Sequence, residues 1–223
     1  MRWKNLLIPV VASVALLAGC TGTPEPAATP TPTTNGLEDL EAAQIEARMV
    51  EALEKAGSFR VTGTAEVEGQ AADIDIAVSG KQMQGSFSVM GFQIEIVVAE
   101  DGTAYFRGGE ELFGLFLGAD LGDVSGKWIK FPADDDLGLV PDTEDFLAAD
   151  GEYTKGEVTE YKGQPAITLV DSDGAKLYIS LVGEPYPLAV ETDEGTLEFT
   201  DIGEDITIEV PAEDEVVEIP SLG

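Results

Sequence analysis

Side chains able to do chemistry are unevenly supplied: the 223 residues hold one cysteine, Cys20, no histidine, and 43 acids against 12 bases. Without histidine no cysteine–histidine or serine–histidine nucleophile pair can form, and a zinc site of the usual Cys and His ligands is excluded with them. The Ser-x-x-Lys and Gly-x-Ser-x-Gly motifs, the P-loop and the glycine fingerprint of dinucleotide-binding folds are also absent. Two carboxylates can hydrolyse a glycosidic bond, but among so many acids no pair stands out. Asp171-Ser172-Asp173-Gly174 has the opening spacing of a calcium loop without the later ligands, and reads as a hairpin turn. Asp134-Asp135-Asp136 reads as a solvated run in a loop. The expectation is a protein that is not an enzyme, with no metal and no cofactor.

One reactive group is left, the Cys20 thiol, and its position gives it a use. Met1 to Asn5 carries Arg2 and Lys4 and no acid, Leu6 to Ala18 is an apolar run too short to span a bilayer, and Ala18-Gly19 are small. That is the anatomy of an export signal. Leu17-Ala18-Gly19-Cys20 resembles the bacterial lipoprotein signal, which implies removal of residues 1–19, a diacylglyceryl group on the Cys20 sulfur and acylation of the new amino terminus. Each buried CH2 contributes only about 0.8 kcal/mol, so stable attachment needs two or more chains. A lipidated Cys20 meets that requirement, and the expected location is outside the cytoplasm, lipid-anchored to the outer face of the cell membrane.

Residues 20–36 then read as the lipidated cysteine and a tether, with Pro24, Pro26, Pro30 and Pro32 set among Thr, Ala and Gly. At about 3.1 Å per residue the tether reaches up to roughly 50 Å. A single folded domain is expected over residues 37–223. The formal net charge of −31 repels nucleic acid and anionic headgroups at long range, so nucleic acid is excluded as a partner.

The elements that must position any site come next. Asn35 is placed to cap a helix with Glu38 three residues on, and Ile45, Met49, Ala52, Leu53 and Ala56 recur at helical spacing before Gly57 ends it. From Ser58 the period switches to two, first through Phe59, Val61, Ala65 and Val67, then Ile74, Ile76 and Val78, then Phe87 and Val89, then Phe92, Ile94, Ile96 and Val98. Asp101-Gly102 makes a hairpin turn before "TAYFRG". Further strands are expected over Lys127 to Phe131, Glu152 to Tyr161, Gln164 to Asp171, Ala175 to Val182, Leu188 to Thr192, Thr196 to Thr200 and Ile206 to Val210. The fold class is therefore α+β: a strongly curved antiparallel half-barrel sheet of about eleven strands, with an N-terminal helix and short helices or loops covering the concave face.

Two connections supply the cover. Glu110 to Gly126 carries Leu112, Phe113, Leu115 and Phe116 between glycines, and Pro132 to Asp150 includes "PDTEDFLAA", a short helix begun after Pro141. A curved sheet leaves space on its concave face, and an alanine-rich helix with glycine-broken loops fills volume poorly, so a hydrophobic cavity is expected. Its candidate lining is Phe87, Val89, Phe92, Ile94, Ile96, Leu112, Phe113, Leu115, Phe116 and Trp128. The alternative is that these aromatics pack a filled core.

Taken together, the lipoprotein signal ending at Cys20, the helix running into "KAGSFRVTGTAEV", the strand pair around "VVAEDGTAYFRG", the "GKWIKFP" strand and the ending "PYPLAVETDEGTLEFTDIGEDITIEVPAEDEVVEIP" resemble the LppX/LprG-type lipoproteins. These fall within the lipoprotein-carrier superfamily that includes the Lol carriers. The resemblance spans Leu37 to Pro220 and implies a half-barrel with a hydrophobic cavity for a lipid or acylated glycolipid, carried across the cell envelope, and an envelope transport partner protein. The membrane itself is the partner of the lipidated N-terminus. The expectation is a membrane-anchored lipid carrier. The alternative is a structural or sensory envelope lipoprotein with a filled core that binds a protein partner.

Overall fold

The computed structural model describes residues 33–67, 70–89, 91–109, 124, 126–131 and 152–218. Among them lie one α-helix, α1 (Ala42–Ala56), and twelve strands: β1 (Ser58–Val67), β2 (Gln70–Ser79), β3 (Gln82–Val89), β4 (Phe92–Val98), β5 (Ala104–Arg107), β6 (Trp128–Phe131), β7 (Thr154–Tyr161), β8 (Gln164–Val170), β9 (Lys176–Ser180), β10 (Pro187–Thr192), β11 (Gly195–Thr200) and β12 (Val216–Glu218). All twelve join one open, curved sheet in the order β12, β6, β5, β4, β3, β2, β1, β11, β10, β9, β8, β7. The fold is α+β, with twelve strands rather than about eleven. Two meanders, β1 to β6 and β7 to β11, meet in the middle where β1 pairs antiparallel with β11.

The helix starts later than Asn35. Leu37–Asp39 forms a single 3-10 turn, Leu40 is extended, and α1 begins after Glu41, whose N–H donates to Gln44 Oε1 at 3.2 Å. Asn35 is engaged elsewhere: its side-chain amide donates to the carbonyls of Ser180 and Gly183 at 3.0 and 3.2 Å, and its backbone N–H to Leu181 O at 2.8 Å. These bonds seat Leu37 in the core at 1% exposure, which turns the chain before the helix can begin. Gly57 ends α1 in the left-handed region at φ 74°, its N–H on Leu53 O, as expected.

Ile45, Met49 and Leu53 project from α1 into a core made by the inner face of the sheet. Alternation sets that face: Val61, Ile76, Ile96, Phe106 and Ile129 point in, whereas Arg60, Asp75, Glu95 and Arg107 point to the other side. Curvature needs close backbone approach, and the sequence supplies it at Gly63 and Gly85, where a Cβ would collide with the carbonyls of Thr196 and Asp75 on neighbouring strands.

Two expectations fail at the C-terminus, the strand over Ile206 to Val210 and a wholly antiparallel sheet. Ile206 to Val210 alternates in burial but joins no ladder, and the last strand is instead β12, which pairs parallel with β6. The reason is geometric. Gly203 N–H and the Ser58 hydroxyl tie this segment to β1, with Gly203 N–H on Ser58 O at 2.9 Å and Ser58 Oγ on Glu204 O at 2.6 Å. From there it crosses the outer face, Glu209 N–H donating to Gln84 Oε1 at 2.9 Å, to reach β6 at the edge. Its alternation thus reflects one covered side of a strap lying across strands, not a place beside them.

Candidate functional site

Register lays the inner face out as rows. One row, Phe199, Val61, Ile76, Gly85, Ile96, Phe106 and Ile129, runs across β11, β1, β2, β3, β4, β5 and β6. None of its side chains is more than 6% exposed. The next row, Leu197, Gly63, Ile74, Phe87 and Ile94, is different. Ile94 is closed, but Leu197, Ile74 and Phe87 are half-buried, as is Phe92 beyond them. The core therefore continues into an apolar lip that the described residues cover only partly. The chain leaves β5 for residues 110–123 at the same end of the sheet, one step beyond the Glu95–Arg107 pair.

The expected lining residues divide accordingly. Ile94 and Ile96 are core, 3% and 0% exposed. Phe87 and Phe92 form the lip, and Val89 pairs with Phe92 in the ladder while its side chain lies outside the described residues. Leu112, Phe113, Leu115, Phe116, the expected anchor Cys20, the helix expected after Pro141 and Asp134 to Asp136 also lie outside them. Trp128 is a correction. It shares a face with Arg107 rather than with Ile129, and the Arg107 guanidinium carbon stands 4.4 Å from its ring centre on the outer side of the sheet.

That outer face holds what residue spacing alone did not single out. Thr62, Asp75, Ser86, Glu95 and Arg107 follow one another across five strands. Arg60 donates Nε and Nη2 to the two oxygens of Asp75, both at 2.7 Å, and Arg107 does the same to Glu95 at 2.6 and 2.7 Å. The Arg107 bonds hold the Glu95 carboxyl below the usual carboxylate range. Asp75 raises Arg60 in turn. The strap residues Ile206 and Ile208 lie over these pairs and roof a cleft of about 400 Å3.

No family model matches the chain, and no curated protein matches it. Among solved structures it is similar to an uncharacterized conserved protein from Thermus thermophilus, at 15% identity over 80% of this chain and 99% of that one, with a TM-score of 0.44.

Asp171 has a local task. Its Oδ1 accepts the N–H groups of Asp173 and Ala175, both at 2.9 Å, fastening the β8–β9 turn. Among the described residues no three acids converge as a metal site, and no helix is long and apolar enough to cross a membrane. The two carboxylates of the outer cleft are each clamped by an arginine. An acid–base hydrolase needs one carboxyl kept protonated near neutral pH, and the shift at Glu95 runs the other way.

Proposed function

We propose that the chain is a membrane-anchored, non-catalytic carrier of the lipoprotein-carrier type, holding acyl chains of a lipid or glycolipid against the inner face of a half-barrel sheet and moving them across the cell envelope. The single observation that carries this reading is the half-buried lip of Ile74, Phe87, Phe92 and Leu197, continuous with the closed core. An acyl chain laid along that lip is driven by burial of apolar area at about 25 cal/mol per Å2. The glycine-broken segment 110–123, which follows β5 in the chain, is the cover proposed for the tail. Lipid attachment at Cys20 and the tether of residues 20–36 keep the carrier at the membrane where its cargo is found.

Native mass spectrometry of the full chain, purified gently from its own host and followed by lipid extraction, tests the proposal. A stoichiometric co-purified lipid, lost in Phe87→Asp and in Leu115→Asp, is the expected result. A clean apo mass with no uptake from added lipid overturns it and favours the filled-core module that binds a protein partner.

A further inference from the structure

The outer cleft lies on the opposite side of the sheet from the lip, so nothing bound there is part of the acyl-chain site. Its floor is the cross-strand row through Asp75, Ser86 and Glu95, and its roof is the strap carrying Ile206 and Ile208. We propose that this cleft is a binding site for a neutral polyhydroxylated ligand, a short saccharide.

Charge decides the class. Each carboxylate of the floor is already neutralised by a two-bond arginine clamp, Arg60 on Asp75 and Arg107 on Glu95. An anionic ligand would have to take a guanidinium from its carboxylate while approaching a chain of net charge −31, and a cationic one would have to open the same pairs from the other side. A hydroxyl does neither. A guanidinium has five N–H donors and a carboxylate about four acceptor positions. Two of each are used in these clamps, and among the described residues both partners keep capacity for hydroxyl groups that donate and accept together. Ser86 stands between the two clamps, and Gln84, its Oε1 taken by the strap, lines the same cleft.

Shape and surface agree with charge. The cleft holds about 400 Å3, within the range of roughly 300–1,000 Å3 usual for small-ligand sites. Ile206 and Ile208 supply an apolar wall against which the C–H face of a sugar ring can pack. The strap is tied at both ends, to Ser58 on β1 and through β12 to β6, and Lys127 Nζ adds a bond to Asp214 O at 2.8 Å. The roof is thereby fixed in place over a floor whose polar groups are preset by the sheet register.

Saturation-transfer NMR on the full chain tests the site, with maltose, cellobiose and chitobiose as probes at millimolar concentration and inorganic phosphate as the anionic control. At least one disaccharide should take up magnetisation. The signal should weaken about tenfold or more in Ser86→Gln, which fills the gap between the clamps, and in Ile208→Ser, which removes the apolar wall. Val158→Ser, 60% exposed on the edge strand β7 and outside both sites, should leave it unchanged, and because the cleft and the lip lie on opposite faces the result is independent of lipid carriage. Transfer to none of the three sugars, equal transfer in both cleft variants with unchanged circular dichroism, or competition by phosphate overturns the proposal.

Discussion

The Arg60 guanidinium and the Asp75 carboxylate meet fork to fork across β1 and β2, with Nε and Nη2 each 2.7 Å from a carboxylate oxygen. Both side chains are more than two-fifths exposed, so water screens the pair. Arg60→Lys keeps the charge and loses the two-bond geometry. Urea unfolding should register a loss of about 0.2–1 kcal/mol, small enough that the sheet stays folded while the cleft floor is changed.

Gly85 faces the inner side where β3 passes closest to β2. Gly85→Ala puts a methyl group into the Asp75 carbonyl, and backbone cannot move aside as a side chain can. The expected cost is about 1–3 kcal/mol, measured as a lower urea midpoint with an unchanged slope. An unchanged midpoint would mean that the sheet is less sharply bent there.

Closed and lip positions of the same face should respond differently. Ile76 is 2% exposed at the centre of the closed row, and Ile76→Ala should cost about 2–5 kcal/mol. Phe87 on the lip is only half-buried, so Phe87→Ala should cost less stability and more lipid. Thermal melts beside native mass spectra separate the two effects.

Acid should loosen the outer face at Glu95. Its folded-state pKa is depressed by the Arg107 hydrogen bonds, so the contribution is fully present above the unfolded value of about 4.3 and is lost as pH falls through the lower folded value. Arg107 also lies over Trp128. Emission from Trp128, read in a Trp3→Phe background, should be steady from neutral pH down to about 5 and change below the unfolded carboxylate range. A transition near neutral pH would contradict the clamp.

Strap amides give a separate check. Residues 206–208 lie in no ladder, whereas Glu209 N–H donates to Gln84. In hydrogen exchange, residues 206–208 should exchange far faster than β1 and β2, and the Glu209 amide should slow in wild type and speed up in Gln84→Ala.

Much of this was legible in the chain. Alternation of apolar with polar residues marked β1 to β4, although Val97 on the outer side of β4 is only 1% exposed, and Asp101-Gly102 and Asp173-Gly174 marked turns that the structure contains. Parity also held the answer for Trp128: in "KWIKF" it shares the Lys130 side, opposite Ile129 and Phe131. The arginine clamps were less visible, since Arg60 meets Asp75, and Arg107 meets Glu95, only through strand register. Val216 to Glu218 could not be read as a strand because three residues in an acidic run carry no period, and their partner β6 lies far back in the chain. Ile206 to Val210 misled for the opposite reason, a true alternation produced by a crossing rather than by a ladder.

The pairing order carries a consequence for how the protein is made. The meander β1 to β6 uses only neighbours in sequence, yet both of its outer strands wait for late partners: β1 for β11, which begins at Gly195, and β6 for β12, which begins at Val216. During synthesis, two bare strand edges are thus presented until nearly the whole chain has emerged. The nascent protein needs protection for longer than its local contacts suggest, and a truncation that spares every residue of the lip but removes β12 would leave one edge open to other chains.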